Sequence, residues 1–318
     1  LGAPFMTASN TLNNQLRYQG NAFLAMLAIS SGAVLNILLD PILIKQYAVY
    51  GAGMSTFVSQ ILGFGLLYIC TTKRDNIHIN LKYFTLNKEI IGVIVNGGFP
   101  SLARQGLNAV SVAVLNFVAI NYSVDSLAAM TVVNRIMSFA ISVAIGIGQG
   151  FQPVCGINYG AKQYGRVKEG YLFTTFLCTI TLLCFALVSI FFGGSLIKLF
   201  ANGNQNLENY DEFMKVGKEL LIYQSIGIPL FGVNTATNMM LQTTGKSVRA
   251  TILAIGRQAL FFIPTLFIFQ ALWGFKGVEL AQMVADILCF IVAIPLAISF
   301  FKELKIEDKT KEQKKATS

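Results

Sequence analysis

Charged side chains are scarce in this sequence. Only 12% of its 318 residues are Asp, Glu, Lys or Arg, where a soluble domain carries roughly a quarter. It has a single histidine, His78, so a zinc or catalytic-histidine site has almost no raw material. The five cysteines (Cys70, Cys155, Cys178, Cys184 and Cys289) make no CxxC pair, and most fall inside or at the ends of apolar runs. They read as packing residues rather than disulfides or metal ligands. No HExxH, GxSxG or paired-carboxylate motif occurs, and the lack of a nucleophile–base set argues against a membrane enzyme. Gly245-Lys246-Ser247 looks like the tail of a P-loop, but position 240 is Met where that loop needs its first glycine. The glycines from Gly146 to Gly156 lie at the end of an apolar helix, where close packing or bending is the better reading than phosphate binding.

What the sequence has in quantity is long apolar stretches. Hydrophobic residues make up 54% of the chain, and they cluster into runs of the roughly 20 residues that a bilayer core demands of a helix. Eight full spans are predicted, at about 21–44, 50–70, 89–121, 125–153, 170–200, 219–241, 250–271 and 275–301. Part of another helix precedes them. The expected fold class is an all-α polytopic membrane bundle.

The net charge of +9 is a matter of placement. Arg17, the 71–88 loop, the 162–168 loop, Lys246, Arg249 and a tail from Lys302 to Lys315 lie at one set of span ends, with sixteen Lys and Arg in all. The opposite set holds five: Lys45, Lys198, Lys215, Lys218 and Lys276. The positive-inside rule puts the first set, with the 71–88 loop and the C-terminus, in the cytoplasm of a plasma-membrane protein. The basic excess is then topological and no nucleic-acid footprint remains. Asn121-Tyr122-Ser123 fits a glycosylation sequon on the outer side, a signal of low specificity.

An internal repeat runs through the chain. Gly2, Pro4, Asn13, Leu16 and Gly20 recur 225 residues later as Gly227, Pro229, Asn238, Leu241 and Gly245. After one residue of slip Gly51 meets Gly277 and Val58 meets Val284. Transporters are often built from two such halves. Residues 89–225 have no counterpart before residue 1. Equal halves would place about 135 residues upstream, giving about twelve helices in two six-helix lobes. The expected layout is 1–70 as the remainder of the N-terminal lobe, 71–88 as a linker, 89–302 as the C-terminal lobe and 303–318 as a basic tail.

Polar groups at bilayer depth cost enough to be functional hypotheses by default. Asn36 and Asp40 lie one helical turn apart before the turn at Lys45, and Thr56 lies at matched depth after it. A carboxylate, an amide oxygen and a hydroxyl suit Na⁺, or a proton if Asp40 alone titrates. The alternative is that Asp40 sits at the outer interface before a helix interruption at Pro41. Arg257 and Asp286 fall near mid-membrane and are expected to pair, for structure or for coupling. Glu279 is expected at the interface. Arg104, Gln105, Asn108, Asn134, Arg135, Gln149, Gln152, Asn234, Asn238, Gln258 and Gln282 complete the intramembrane polar set. Interhelical hydrogen bonding explains any one of them, and the set suggests a hydrated cavity. Pro100 is expected to kink its helix.

Several stretches resemble exporters of the MATE (multidrug and toxic compound extrusion) family, in its MepA-like bacterial branch. They are GNAFLAMLAISSGAVLNILLDPILI with YGAGMSTFVSQ, GFPSLARQGLNAVSVAVLN, GQGFQPVCGINYGAK, and GRQALFFIP with GVELAQMVADIL. The likeness covers nearly the whole chain and departs at Met283-Val284, where the family has Pro and an aliphatic residue. It implies a two-lobed antiporter that expels drugs and toxic organic cations against Na⁺ or H⁺ by alternating access, with no other cofactor. It implies that Asn36, Asp40 and Thr56 belong to the cation site, completed by an Asp from a helix that would lie upstream. A flippase for lipid-linked precursors and a non-transporting scaffold are the rival readings. A scaffold has no need of polar residues matched in depth.

Overall fold

The computed structural model describes residues 2–72, 85, 87–119, 122–201 and 209–316. Lys73, Arg74, Lys82 and His78 of the 71–88 loop, Asn121 of the sequon and the tail side chains beyond residue 306 lie outside the described residues. Among the described residues there are helices and no strands. In chain order they are α1 (Ala3–Tyr18), α2 (Ala22–Thr72), α3 (Lys88–Ala119), α4 (Val124–Gly160), α5 (Tyr164–Ala201), α6 (Tyr210–Gly227), α7 (Phe231–Thr243), α8 (Ser247–Ile255), α9 (Ile263–Trp273) and α10 (Phe275–Ala316). A 3₁₀ turn, Ile228–Leu230, joins α6 to α7, and a π-helical turn, Gly256–Phe262, joins α8 to α9. The chain divides into two compact units, Leu1–Leu86 and Asn87–Ser318.

Two helices, α4 and α5, overrun the expected spans at both ends, and side-chain caps set the starts of α4 and α6. Ser123 caps α4 by accepting from the Ser126 amide at 3.0 Å, and Asn209 caps α6 by accepting from the Glu212 amide at 3.2 Å. Among the described residues, five helices are long and apolar enough to cross a membrane: Ala22–Thr72, Asp125–Gly160, Tyr164–Leu199, Ser247–Trp273 and Phe275–Ile306. Many large apolar side chains lie outside; Val49 is 85% exposed, Phe191 77% and Val93 74%. Such a surface suits the apolar surroundings that a membrane supplies. Glu279, by contrast, lies in the first turns of α10 and is buried at 1% exposure.

The prolines act unequally. α2, α3 and α4 run through Pro41, Pro100 and Pro153, and α2 leaves helical geometry only at Ala48. Pro229 lies in the 3₁₀ turn and Pro264 just after the π turn. A proline lacks the N–H that would bond four residues back, so the backbone ladder there must tighten or widen. α10 continues through Met283-Val284.

The repeat is present in the backbone. Gly20 and Gly245 both take positive φ, 84° and 75°, where each helix reverses. Asn13 Nδ2 donates to the Ala25 carbonyl at 3.1 Å, and Asn238 Nδ2 donates to the Ala250 carbonyl at 2.8 Å. Gly51 and Gly277 approach the carbonyls of Leu43 and Phe269 so closely that an added Cβ would lie 2.0 Å away in each case. The hairpin bends themselves correspond: Ala48 has φ 48°, ψ −125°, and Gly274 has φ 59°, ψ −133°. Only the second copy has the residue suited to that conformation. Ala48→Gly is therefore expected to raise stability by about 1 kcal/mol, measured as a higher thermal midpoint in detergent.

Candidate functional site

In the first unit, α2 folds back at Ala48, so its two limbs run antiparallel. The limbs touch through glycine: a Cβ on Gly32 would lie 3.1 Å from the Ser59 carbonyl oxygen. This register sets Asp40, eight residues before the bend, opposite Ser55, seven residues after it. At 1.5 Å per residue both lie about 11–12 Å from the bend. The Ser55 hydroxyl donates to Asp40 Oδ1. Asn36 Nδ2 lies 3.4 Å from both Asp40 Oδ1 and Ser55 Oγ. Ser55 is fully buried, and Asn36 and Asp40 are partly buried. Thr56 is not in this cluster. One residue is about 100° around a helix, so its exposed hydroxyl donates to its own Ala52 carbonyl, at 2.9 Å. Ser55 is the group that sequence reading missed, and the limb register is the signal that identifies it.

In the second unit, polar residues form stripes at helical spacing. Ser101, Arg104, Asn108 and Ser111 follow one face of α3, Asn134, Ser138 and Ser142 one face of α4, and Asn234 and Asn238 one face of α7. The stripes converge on two cavities. The larger, about 380 Å³, is lined by residues that include Arg104, Gln105, Asn108, Gln149, Asn234, Asn238, Arg257 and Gln258. The smaller, about 90 Å³, is lined by residues that include Asn108, Asn134, Gln224, Arg257, Gln282 and Asp286. Neither lining includes Arg135, which is exposed, or Gln152.

The wall shared by the cavities is a polar lattice. Arg257 Nε donates to Asp286 Oδ1 at 2.6 Å and its guanidinium carbon stands 4.5 Å from the centre of the Phe231 ring. Gln282 Nε2 donates to the same carboxylate oxygen at 3.2 Å. Gln258 Nε2 donates to Asn108 Oδ1 at 3.0 Å. Arg257 and Gln258 lie at the start of the π turn, which faces this wall. The expected ion pair forms, with its side chains 13% and 4% exposed.

Together these features define a polytopic helical membrane protein with an internal repeat, a carboxylate cluster in one unit and a polar cavity in the other. The MatE family model matches residues 100–268, and the chain belongs to that family. Among curated relatives, the multidrug export protein MepA of Staphylococcus aureus (strain bovine RF122 / ET3-1) is 28% identical over 299 residues, covering 92% of this chain. The MepA of Staphylococcus saprophyticus is 29% identical over 300 residues, again covering 92%. The chain spans 64% of the length of these relatives. A solved MATE structure in complex with MaL6 superposes with a TM-score of 0.87 at 26% identity, covering 96% of this chain and 68% of that one. An outward-facing multidrug resistance MATE transporter of the MOP superfamily gives 0.85 at 25% identity, covering 93% and 66%.

Proposed function

We propose that the protein exports drug-like small molecules, organic cations among them, across the cell membrane in exchange for Na⁺ or H⁺. The observation that carries this reading is the Asp40 carboxylate, which shares its site with Ser55 and Asn36 at matched depth in a largely apolar hairpin. Carboxylate and hydroxyl oxygens are hard donors that suit a small cation, and turning the Asn36 amide over brings its oxygen to the same point. Asp40 holds the charge, Ser55 orients the carboxylate, and ion occupancy favours one arrangement of the two lobes while cargo favours the other. Cargo is taken into the polar cavity of the second unit. The 71–88 loop and the C-terminus lie in the cytoplasm, in keeping with the count of basic residues at the span ends. The relatives named as multidrug export proteins favour export over the flippase and scaffold readings.

Asp40→Asn is expected to abolish ion-driven efflux of a zwitterionic aromatic drug from cells while the amount of protein in the membrane stays unchanged. Efflux equal to the parent's in that variant would overturn the reading.

A further inference from the structure

The larger cavity of the second unit carries an uncompensated positive charge. Two ionised side chains line it, Arg104 and Arg257, and no Asp or Glu does. Arg257 is already neutralised from behind by Asp286, which lines the smaller cavity only. Arg104 makes no hydrogen bond or ion pair among the described residues, so its guanidinium donors remain available. It stands one turn from Asn108, whose Oδ1 is occupied by Gln258 and whose amide N–H groups are left for a guest.

A guanidinium without a counter-charge inside a membrane protein is costly, and so marks a place where a charge is to be met. In a cavity walled by low-dielectric protein it attracts an anion and repels a cation more strongly than it would in water. Its fork of donors matches the two oxygens of a carboxylate or the face of a sulfonate or phosphate. The remaining lining supplies apolar surface, from Ile141, Ile145 and Leu253. At about 380 Å³ the cavity accepts a body of drug size. We infer that this cavity is a subsite for the acidic group of an amphipathic cargo, with Arg104 as the residue that binds it. The inference rests on the cargo reading above and deepens it: molecules with an acid and an amine on one apolar scaffold satisfy both.

The test compares two probes of opposite charge on the same ring system, naphthoate and naphthyl-trimethylammonium. Binding is measured by equilibrium dialysis to the whole chain in phosphatidylcholine nanodiscs, with empty nanodiscs subtracted. The parent is expected to bind naphthoate about tenfold more tightly than the ammonium probe, the scale of one charge-assisted contact. Arg104→Gln is expected to remove that preference, and Arg104→Lys to keep part of it. Since Arg104 makes no hydrogen bond or ion pair among the described residues, both variants should keep the parent's thermal midpoint.

Equal or tighter binding of the ammonium probe, or a preference that survives Arg104→Gln, would overturn the acidic subsite and leave the cargo cavity standing. Saturable binding of neither probe would overturn both. A second arm uses nanodiscs containing phosphatidylglycerol. Arg104-dependent displacement of naphthoate there would assign the site to a lipid phosphate, and undiminished binding would assign it to a dissolved acid. Either result supports recognition of an anion by Arg104.

Discussion

Asp286→Ala is expected to cost about 3–5 kcal/mol of stability. The substitution leaves the Arg257 guanidinium, 13% exposed in its side chain, with no counter-charge. It also takes from Gln282 the acceptor that it now reaches at 3.2 Å. Breaking a buried pair from one side costs far more than replacing both partners, since the remaining charge keeps its desolvation penalty. The double variant Arg257→Met/Asp286→Leu should therefore recover most of what the single change loses. A double-mutant cycle of unfolding midpoints in mixed detergent measures this. Single variants within about 0.5 kcal/mol of the parent would mean that water in the flanking cavities already solvates the pair, and that the lattice between them is not structural.

Gly51→Ala and Gly277→Ala are expected to be as damaging, each to a different unit. A methyl group at either position would sit 2.0 Å from a backbone carbonyl oxygen, of Leu43 and Phe269 respectively. Neither contact is with a flexible side chain that could swing away. Relief requires opening the hairpin, which disrupts the packing of both limbs at a cost of about 4 kcal/mol or more. Gly53→Ala is the internal control, because a Cβ there meets nothing within 4 Å. Yield of monodisperse protein and thermal midpoint read both effects. Gly51→Ala and Gly53→Ala behaving alike would show that the close turn at Leu43 does not exist.

Much of the architecture was legible in the sequence because membrane helices declare themselves by composition. The eight spans and the partial helix before them correspond to the rods of α1 to α10 once α2 is divided at Ala48, α6 is joined to α7 and α8 to α9. The repeat was legible because glycine, proline and asparagine hold backbone geometry that no other residue replaces cheaply, as Gly20 with Gly245 and Asn13 with Asn238 show. Ala48 was not legible: an alanine at positive φ has no sequence signature, and only comparison with Gly274 reveals the strain.

At the site, Asn36 and Asp40 were readable as neighbours because both lie on one limb, four residues apart. Ser55 was not readable in the same way. Which of two adjacent hydroxyl residues faces Asp40 depends on the rotation of the second limb, fixed by the contact of Gly32 with Ser59 and Gly63. Arg135 and Gln152 illustrate the same limit within α4, where polarity alone does not say which face meets the cavity. The π turn at Gly256–Phe262, which holds Arg257 and Gln258 just before Pro264, has no signature in the hydropathy pattern.

The most direct test of the account measures the ion itself. With the purified protein, binding of radiolabelled sodium, and release of protons on addition of the same zwitterionic drug, can be followed side by side in the parent and in Asp40→Asn. The account predicts that the parent shows one of these two signals, saturable and displaced by cargo, and that the variant loses it while still binding cargo. A signal of the same size in Asp40→Asn would contradict the assignment of the coupling ion to this carboxylate.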